Sequence, residues 1–271
     1  MTNTFNKFSN TEIETDTPIR IQQNFDGTPS ADIINGTTGD NVIRGFAGDD
    51  TLRGLAGDDV IEGGEGADDL NGNGGQDTLS YETSSAGVTV ELNTGLASGG
   101  DAEGDTFAGF EHILGSAFDD TLKGDGNSNT FDGGAGDDTI NTGAGDDLIL
   151  GNIGFDTLNG GAGAGDILSY ENLDGRLSFI GFFGGTQVEK RLNGPPPENE
   201  DDPDPNQQFD QIAGFETIRG TAFNDFLGGG GTGITLEGGL GDDIFRSAIT
   251  YGNDIYLGQE GNDMLQVEIS N

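Results

Sequence analysis

The stretch Gly36–Ser80 reads GTTGDNVIR, GFAGDDTLR, GLAGDDVIE, GGEGADDLN, GNGGQDTLS, a nine-residue unit repeated without a slip of register. Each unit opens on a glycine (Gly36, Gly45, Gly54, Gly63, Gly72) and places another fourth (Gly39, Gly48, Gly57, Gly66, Gly75). The sixth place is Asn41, Asp50, Asp59, Asp68 or Asp77, and the eighth is Ile43, Leu52, Ile61, Leu70 or Leu79. Glycines at fixed places allow tight turns that residues with a Cβ resist. The residues around the aliphatic place suit a short extended segment with one side chain turned inward. Turn, carboxylate and strand in strict alternation specify an all-β fold, a parallel β-roll (β-solenoid) with two units per revolution. Units two apart then stack, Asp32 with Asp50, Asp50 with Asp68 and Asp59 with Asp77.

Outward from this array, Asp32-Ile33-Ile34-Asn35 falls in phase as the tail of a preceding unit, while 1–31 carries no repeat signal and reads as an N-terminal tail or cap. The first array therefore spans 32–80. A spacer, 81–114, leads to a second array over 115–169, with sixth places Asp120, Asn129, Asp138, Asp147 and Asp156. One extra residue in GGAGAGDILS moves the next carboxylate to Asp166. A second spacer, 170–219, contains an acidic, proline-rich segment, GPPPENEDDPDPNQQ (Gly194–Gln208), suited to a surface loop. A third, degenerate array over 220–271 offers Asp225, Asp243, Asp254 and Asp263. Ile234 stands where a carboxylate belongs, and two residues are inserted before Asp254. The spacers resemble one another: DTLSYE (Asp77–Glu82) returns as DILSYE (Asp166–Glu171), and FAGFEHILGSAFDD (Phe107–Asp120) as IAGFETIRGTAFND (Ile212–Asp225). Val88, Val90 and Leu92 alternate with polar residues as in a strand, so the spacers read as modified coils continuing the sheet, with Phe110 and Ile113 covering the core.

The chain of 271 residues holds 49 acids against 10 bases, a formal net charge of −39, and only 31% hydrophobic residues. Such a composition by itself suits a disordered chain, and carboxylates stacked coil on coil would oppose collapse unless a cation neutralised them. One large aliphatic side chain per nine residues gives too little burial to offset the ordering of the backbone, which makes folding and metal ligation a single coupled process. The donors on offer are carboxylates and turn carbonyls, an all-oxygen set that selects a hard cation. Calcium accepts six to eight such ligands in flexible geometry, whereas magnesium demands a small octahedron and gives up water reluctantly. The sixth-place residues named above are thus the candidate metal ligands for multiple calcium ions, roughly eight to ten by pairing of stacked units.

On these residues the chain resembles the RTX (hemolysin-type calcium-binding repeat) family, whose consensus is GGxGxDxUx. The resemblance covers roughly 32–169 strongly and 220–265 more weakly. It implies a parallel β-roll with calcium in the inter-coil turns and export by type I secretion machinery with an uncleaved C-terminal signal. By the same resemblance the sixth-place residues serve as side-chain ligands, with Asn41 and Asn129 making weaker sites and Ile234 none.

Other chemistries find little support. Cysteine is absent, which excludes disulfides, thiolate metal sites and a thiol nucleophile. The acidic balance disfavours nucleic acid and anionic membranes; no segment reaches the length of a membrane span, and the N-terminus lacks a signal-peptide pattern. Asp125-Gly-Asn127-Ser-Asn129 begins like an EF-hand loop but has Thr130 at the turn glycine and Gly136 at the bidentate glutamate. The lone histidine, His112, has Thr217 as its counterpart in the second spacer and no nucleophile context, so a structural role is expected. Doublets such as Asp49-Asp50 and Asp146-Asp147 follow from the repeat, and Tyr81 and Tyr170, each in SYE, read as edge packing. The expectation is a secreted, extracellular calcium-binding repeat protein, not an enzyme, that folds on calcium. The alternatives are a repeat region of a secreted enzyme, or an adhesin or surface-layer module presenting the proline-rich loop or Phe179, Phe182 and Phe183.

Overall fold

The computed structural model describes residues 23–173, 176–177, 187–191, 207–229, 233–248 and 254–268. They form a β-solenoid in which each revolution contributes one short strand to each of two facing sheets. The first sheet has eleven strands, from Gln23–Asp26 through Asn41–Ala47, Val60–Glu65 and Thr78–Ser80 to Ile255–Leu257. Its neighbours are parallel, with the register that two units per revolution requires: Ile43 beside Ile61, Ile61 beside Leu79, Phe131 beside Ile149. The strands are short because each unit allows only a few extended residues between its glycine turns.

The eighth-place side chains fill the space between the sheets. Ile43, Leu52, Ile61, Leu79, Leu122, Phe131 and Ile149 are each 0% exposed. Phe110 and Ile113 join this core, as expected. The stack begins earlier than the repeat signal, since Gln23–Asp26 within the segment read as tail or cap pairs in parallel with Asn41–Ala47. Phe25 there lies beside Ile43 and supplies an inward residue without any glycine signature.

The spacers do continue the sheet, but not by parallel coils alone. In the second sheet Asp69–Gly74 is followed by Thr106–Ala108, then Leu96–Ser98, then Thr89–Glu91, and only then by Thr121–Lys123. Leu96–Ser98 runs antiparallel to both its neighbours, so the first spacer inserts a meander whose last strand seals the preceding coil. The second spacer repeats the plan: Gln207–Ala213 pairs in parallel with Thr157–Asn159 and antiparallel with Gln187–Arg191. Beyond it the second face resumes as a separate three-stranded parallel sheet, Phe226–Gly229, Ile244–Ala248 and Met264–Glu268. Phe179, Phe182, Phe183 and most of the proline-rich segment lie outside the described residues.

Candidate metal centres

A sixth-place side chain leaves the backbone where the glycine turn ends and the strand begins, so turn and stack fix it from both sides. One of its oxygens plays the same part in eleven of the units. Oδ1 accepts the backbone N–H of the sixth-place residue one coil earlier: Asp32 donates to Asp50 at 2.7 Å, and Asn41 to Asp59, Asp50 to Asp68 and Asp59 to Asp77 at 2.8 Å. In the second array Asp120 donates to Asp138, Asn129 to Asp147, Asp138 to Asp156 and Asp147 to Asp166, at 2.8–3.0 Å. In the third Asp225 donates to Asp243 at 2.8 Å, Asp243 to Asp263 at 3.1 Å, and Ile234 to Asp254 at 3.2 Å. All the candidate residues thus fall on two ladders, one along each turn edge. The inserted residues before Asp166 and Asp254 are absorbed without loss of register.

The second oxygen separates two kinds of unit. Where the second residue of the unit is left-handed, as in Phe46 (φ 76°), Leu55 (φ 82°), Asn73 (φ 68°) and Gly64, Gly143, Gly161 and Gly239 (φ 87–102°), its amide does not reach the carboxylate. Oδ2 of Asp50, Asp59, Asp68, Asp77, Asp147, Asp166 and Asp243 is then buried with no hydrogen-bond partner among the described residues. Such an oxygen is costly unless something else satisfies it. It folds over its own opening glycine: a Cβ on Gly45, Gly54 or Gly72 would collide both with that Oδ2 and with the carbonyl of Gly63, Gly72 or Gly109 from the next coil. A bare carboxylate oxygen and a turn carbonyl therefore converge on one small space.

In five other units, those of Asp32, Asn41, Asp120, Asn129 and Asp225, the turn satisfies its own sixth-place side chain. Thr28 N–H and Oγ1 donate to Asp32 Oδ2 at 2.6 and 2.9 Å. Ser116 N–H donates to Asp120 Oδ2 at 2.6 Å and its hydroxyl to Oδ1 at 2.9 Å. Thr221 treats Asp225 the same way, at 2.6 and 3.0 Å. The N–H groups of Thr37 and Asp125 donate to the Oδ1 atoms of Asn41 and Asn129 at 2.6 and 3.1 Å.

Sequence reading missed four members of the ladders, all in the spacers. Asp105 Oδ1 accepts the Asp68 N–H at 2.8 Å and Asp210 Oδ1 that of Asp156 at 3.0 Å. Glu111 and Glu216 accept from Asp77 and Asp166, both at 2.9 Å. Their signal was present, because the matching segments extend upstream to DTFAGFE and DQIAGFE. Tyr81 and Tyr170 do not pack at an edge. They are 1% and 0% exposed, and their hydroxyls donate to Asp105 Oδ2 at 3.0 Å and Asp210 Oδ2 at 2.5 Å. The hydroxyl needs a partner once the ring is buried, and the spacer carboxylate supplies it. The doublets also form a second ladder: fifth-place Asp40, Asp49, Asp58, Asp119 and Asp137 accept N–H groups from the coil after them. His112 is half-buried on His112–Leu114 between Thr78 and Thr130. Burial pushes its pKa down, against the pull of Glu111 and Asp58.

Electrostatics mark the same positions. Desolvation, opposed by the ladder hydrogen bonds and reinforced by neighbouring acids, pushes Asp138 up to about 8, Asp68 to about 7 and Asp77 and Asp243 to about 6. A bound cation would offset that cost. Among the described residues no three His, Asp or Glu side chains cluster as a metal site, so turn carbonyls must complete any coordination. That donor set, carboxylate and carbonyl oxygen without nitrogen or sulfur, fits calcium.

Comparison with protein families agrees. The model of the RTX calcium-binding nonapeptide repeat matches residues 26–59, 44–79, 105–140, 141–167 and 250–266. The chain belongs to the RTX calcium-binding repeat family. The parallel β-roll is the fold of RTX repeats, and calcium is the ion they bind. The third array, weakest in sequence, still yields an RTX match over 250–266. No curated protein matches the chain, and among the described residues no helix is long and apolar enough to cross a membrane.

Proposed function

We propose that this RTX chain is a secreted, extracellular scaffold, not a catalyst, that folds when calcium enters its turns. The observation that carries the reading is the set of buried carboxylate oxygens, on Asp50, Asp59, Asp68, Asp77, Asp147, Asp166 and Asp243, that have no hydrogen-bond partner among the described residues. Each would be an uncompensated charge in a cation-free roll, which is strongly destabilising. Cytosolic calcium is too scarce to fill sites of the affinity usual for extracellular modules, about 10⁻⁴–10⁻³ M. The chain would stay unfolded inside the cell, suited to passage through type I secretion machinery, and would fold outside. Asp50, Asp59, Asp68, Asp77, Asp147, Asp166 and Asp243 would hold the ions together with turn carbonyls, and the ions would supply charge neutralisation and cross-links between coils. Circular dichroism during calcium titration, with magnesium as control, tests this. A cooperative gain of β signal with calcium alone is expected; a full β spectrum at neutral pH after removal of divalent cations would refute it.

A further inference from the structure

The two kinds of unit are not scattered along the chain. The self-satisfied turns of Asp32 and Asn41 form the first revolution of the first array, those of Asp120 and Asn129 the first of the second. The third array opens the same way, with Asp225 capped by Thr221 and then Ile234, which has no ligand atom in its side chain. The second unit of each opening revolution is thus Asn41, Asn129 or Ile234, so every replacement of a sixth-place carboxylate falls in these revolutions. Among the remaining units the second-place residue is left-handed at Phe46, Leu55, Asn73 and Gln259 and at Gly64, Gly134, Gly143, Gly161 and Gly239, and the unit of Asp156, with Asn152 in second place, is the exception. At the far ends of the first two arrays, a tyrosine hydroxyl occupies the oxygen that is bare elsewhere, on Asp105 and on Asp210.

From this arrangement we infer that each array opens on a calcium-free revolution, and that the first two close on a calcium-free Tyr–Asp rung, leaving ions only at the units between. The selecting residue is the second of each unit. Thr28, Ser116 or Thr221, outside the left-handed region, turns its N–H and hydroxyl onto the carboxylate and takes the place of a cation. A left-handed residue there withdraws the N–H and leaves Oδ2 for the metal. In the closing rungs the phenol does the same work as the Ser or Thr cap. Asp105 has no glycine cradle in its own turn, because a Cβ on Gly100 would meet Ser84 Oγ and the Ala86 carbonyl instead of Asp105. The metal array is consequently split into blocks separated by rungs held by hydrogen bonds alone. Asp32, Asn41, Asp120, Asn129 and Asp225 leave the set of side-chain ligands.

This partition rests on the calcium reading above, and one experiment separates the two. Calcium bound per full-length chain is counted by native mass spectrometry at saturating calcium. The variants are Asp59→Asn and Asp147→Asn in the inner units, Asp120→Asn and Asp225→Asn in the capped units, and Asp105→Asn in a closing rung. The inner variants are expected to lose at least one ion each. The capped and closing variants are expected to keep the wild-type count, because no ion is lost with a carboxylate that holds only hydrogen bonds. Equal loss from Asp120→Asn and Asp147→Asn overturns the partition while leaving calcium binding intact. A wild-type chain that binds no calcium overturns both. Ser116→Ala and Thr221→Ala, which remove the hydroxyl and leave the capping backbone N–H, guard against misfolding of an Asp variant; they too should keep the count, and loss of an ion from either counts against the partition.

Discussion

Acid should substitute for calcium. In the folded roll Asp138 has its pKa near 8, Asp68 near 7, and Asp77, Asp105 and Asp243 near 6, against 3.8 for an ordinary aspartate. Burial is the leading cause in each case. A folded pKa above the unfolded one means that the native state binds more protons, so metal-free stability is lost as pH rises through the folded values. Taking those values, a metal-free roll at pH 5 holds between about four and about five more protons on these groups than the unfolded chain, and fewer than about one more at pH 8. The perturbation is removal of divalent cations on a chelating resin, followed by titration from pH 8 down to pH 5. Far-ultraviolet circular dichroism should show β structure returning on acidification, with a transition steeper than one proton allows. Calcium added at pH 8 should produce the same spectrum. Asp138→Asn, which keeps a neutral side chain at every pH, should move the acid midpoint upward. A β signal that stays constant or falls between pH 8 and pH 5 would refute the account of the buried carboxylates.

Three further outcomes are expected. Phe131→Ala empties a fully buried core position and should cost about 3–5 kcal/mol, read as a higher calcium midpoint for folding. Leu55 holds φ at 82° while 43% exposed; Leu55→Gly should relieve about 1 kcal/mol of left-handed strain and raise the thermal midpoint of the calcium-loaded chain, and a lowered midpoint would count against that strain. The Arg53–Asp69 pair, 2.6 Å apart at the surface, should contribute less than about 1 kcal/mol, so Arg53→Ala should shift the midpoint little and not at all in high salt.

Much of this molecule is legible in its sequence because the fold is local. Turn, ladder residue and inward side chain sit within nine residues, and the same solution is repeated, so period alone places Ile43, Leu52 and Ile61 in the core and Asp50 above Asp32. Legibility fails where partners are distant in sequence. Asp105 meets Asp68 across 37 residues and Asp210 meets Asp156 across 54, and no period connects them. The antiparallel Leu96–Ser98 strand and the buried Tyr81 belong to the same class. Their places depend on a meander folding back onto an existing edge.

The sequence by itself determined the β-roll, the stacking step, the oxygen-only donor set and the column of carboxylates, because glycine turns and a strict period leave the backbone almost no other course. Only the tertiary structure decided which carboxylate oxygens remain bare. That choice depends on the backbone angle of the second residue in each turn, on whether a hydroxyl lies within reach, and on what the neighbouring coil presents. A sixth-place Asp spells the same in every unit, but Asp120 is satisfied by Ser116 and Asp147 has an oxygen with no hydrogen-bond partner among the described residues.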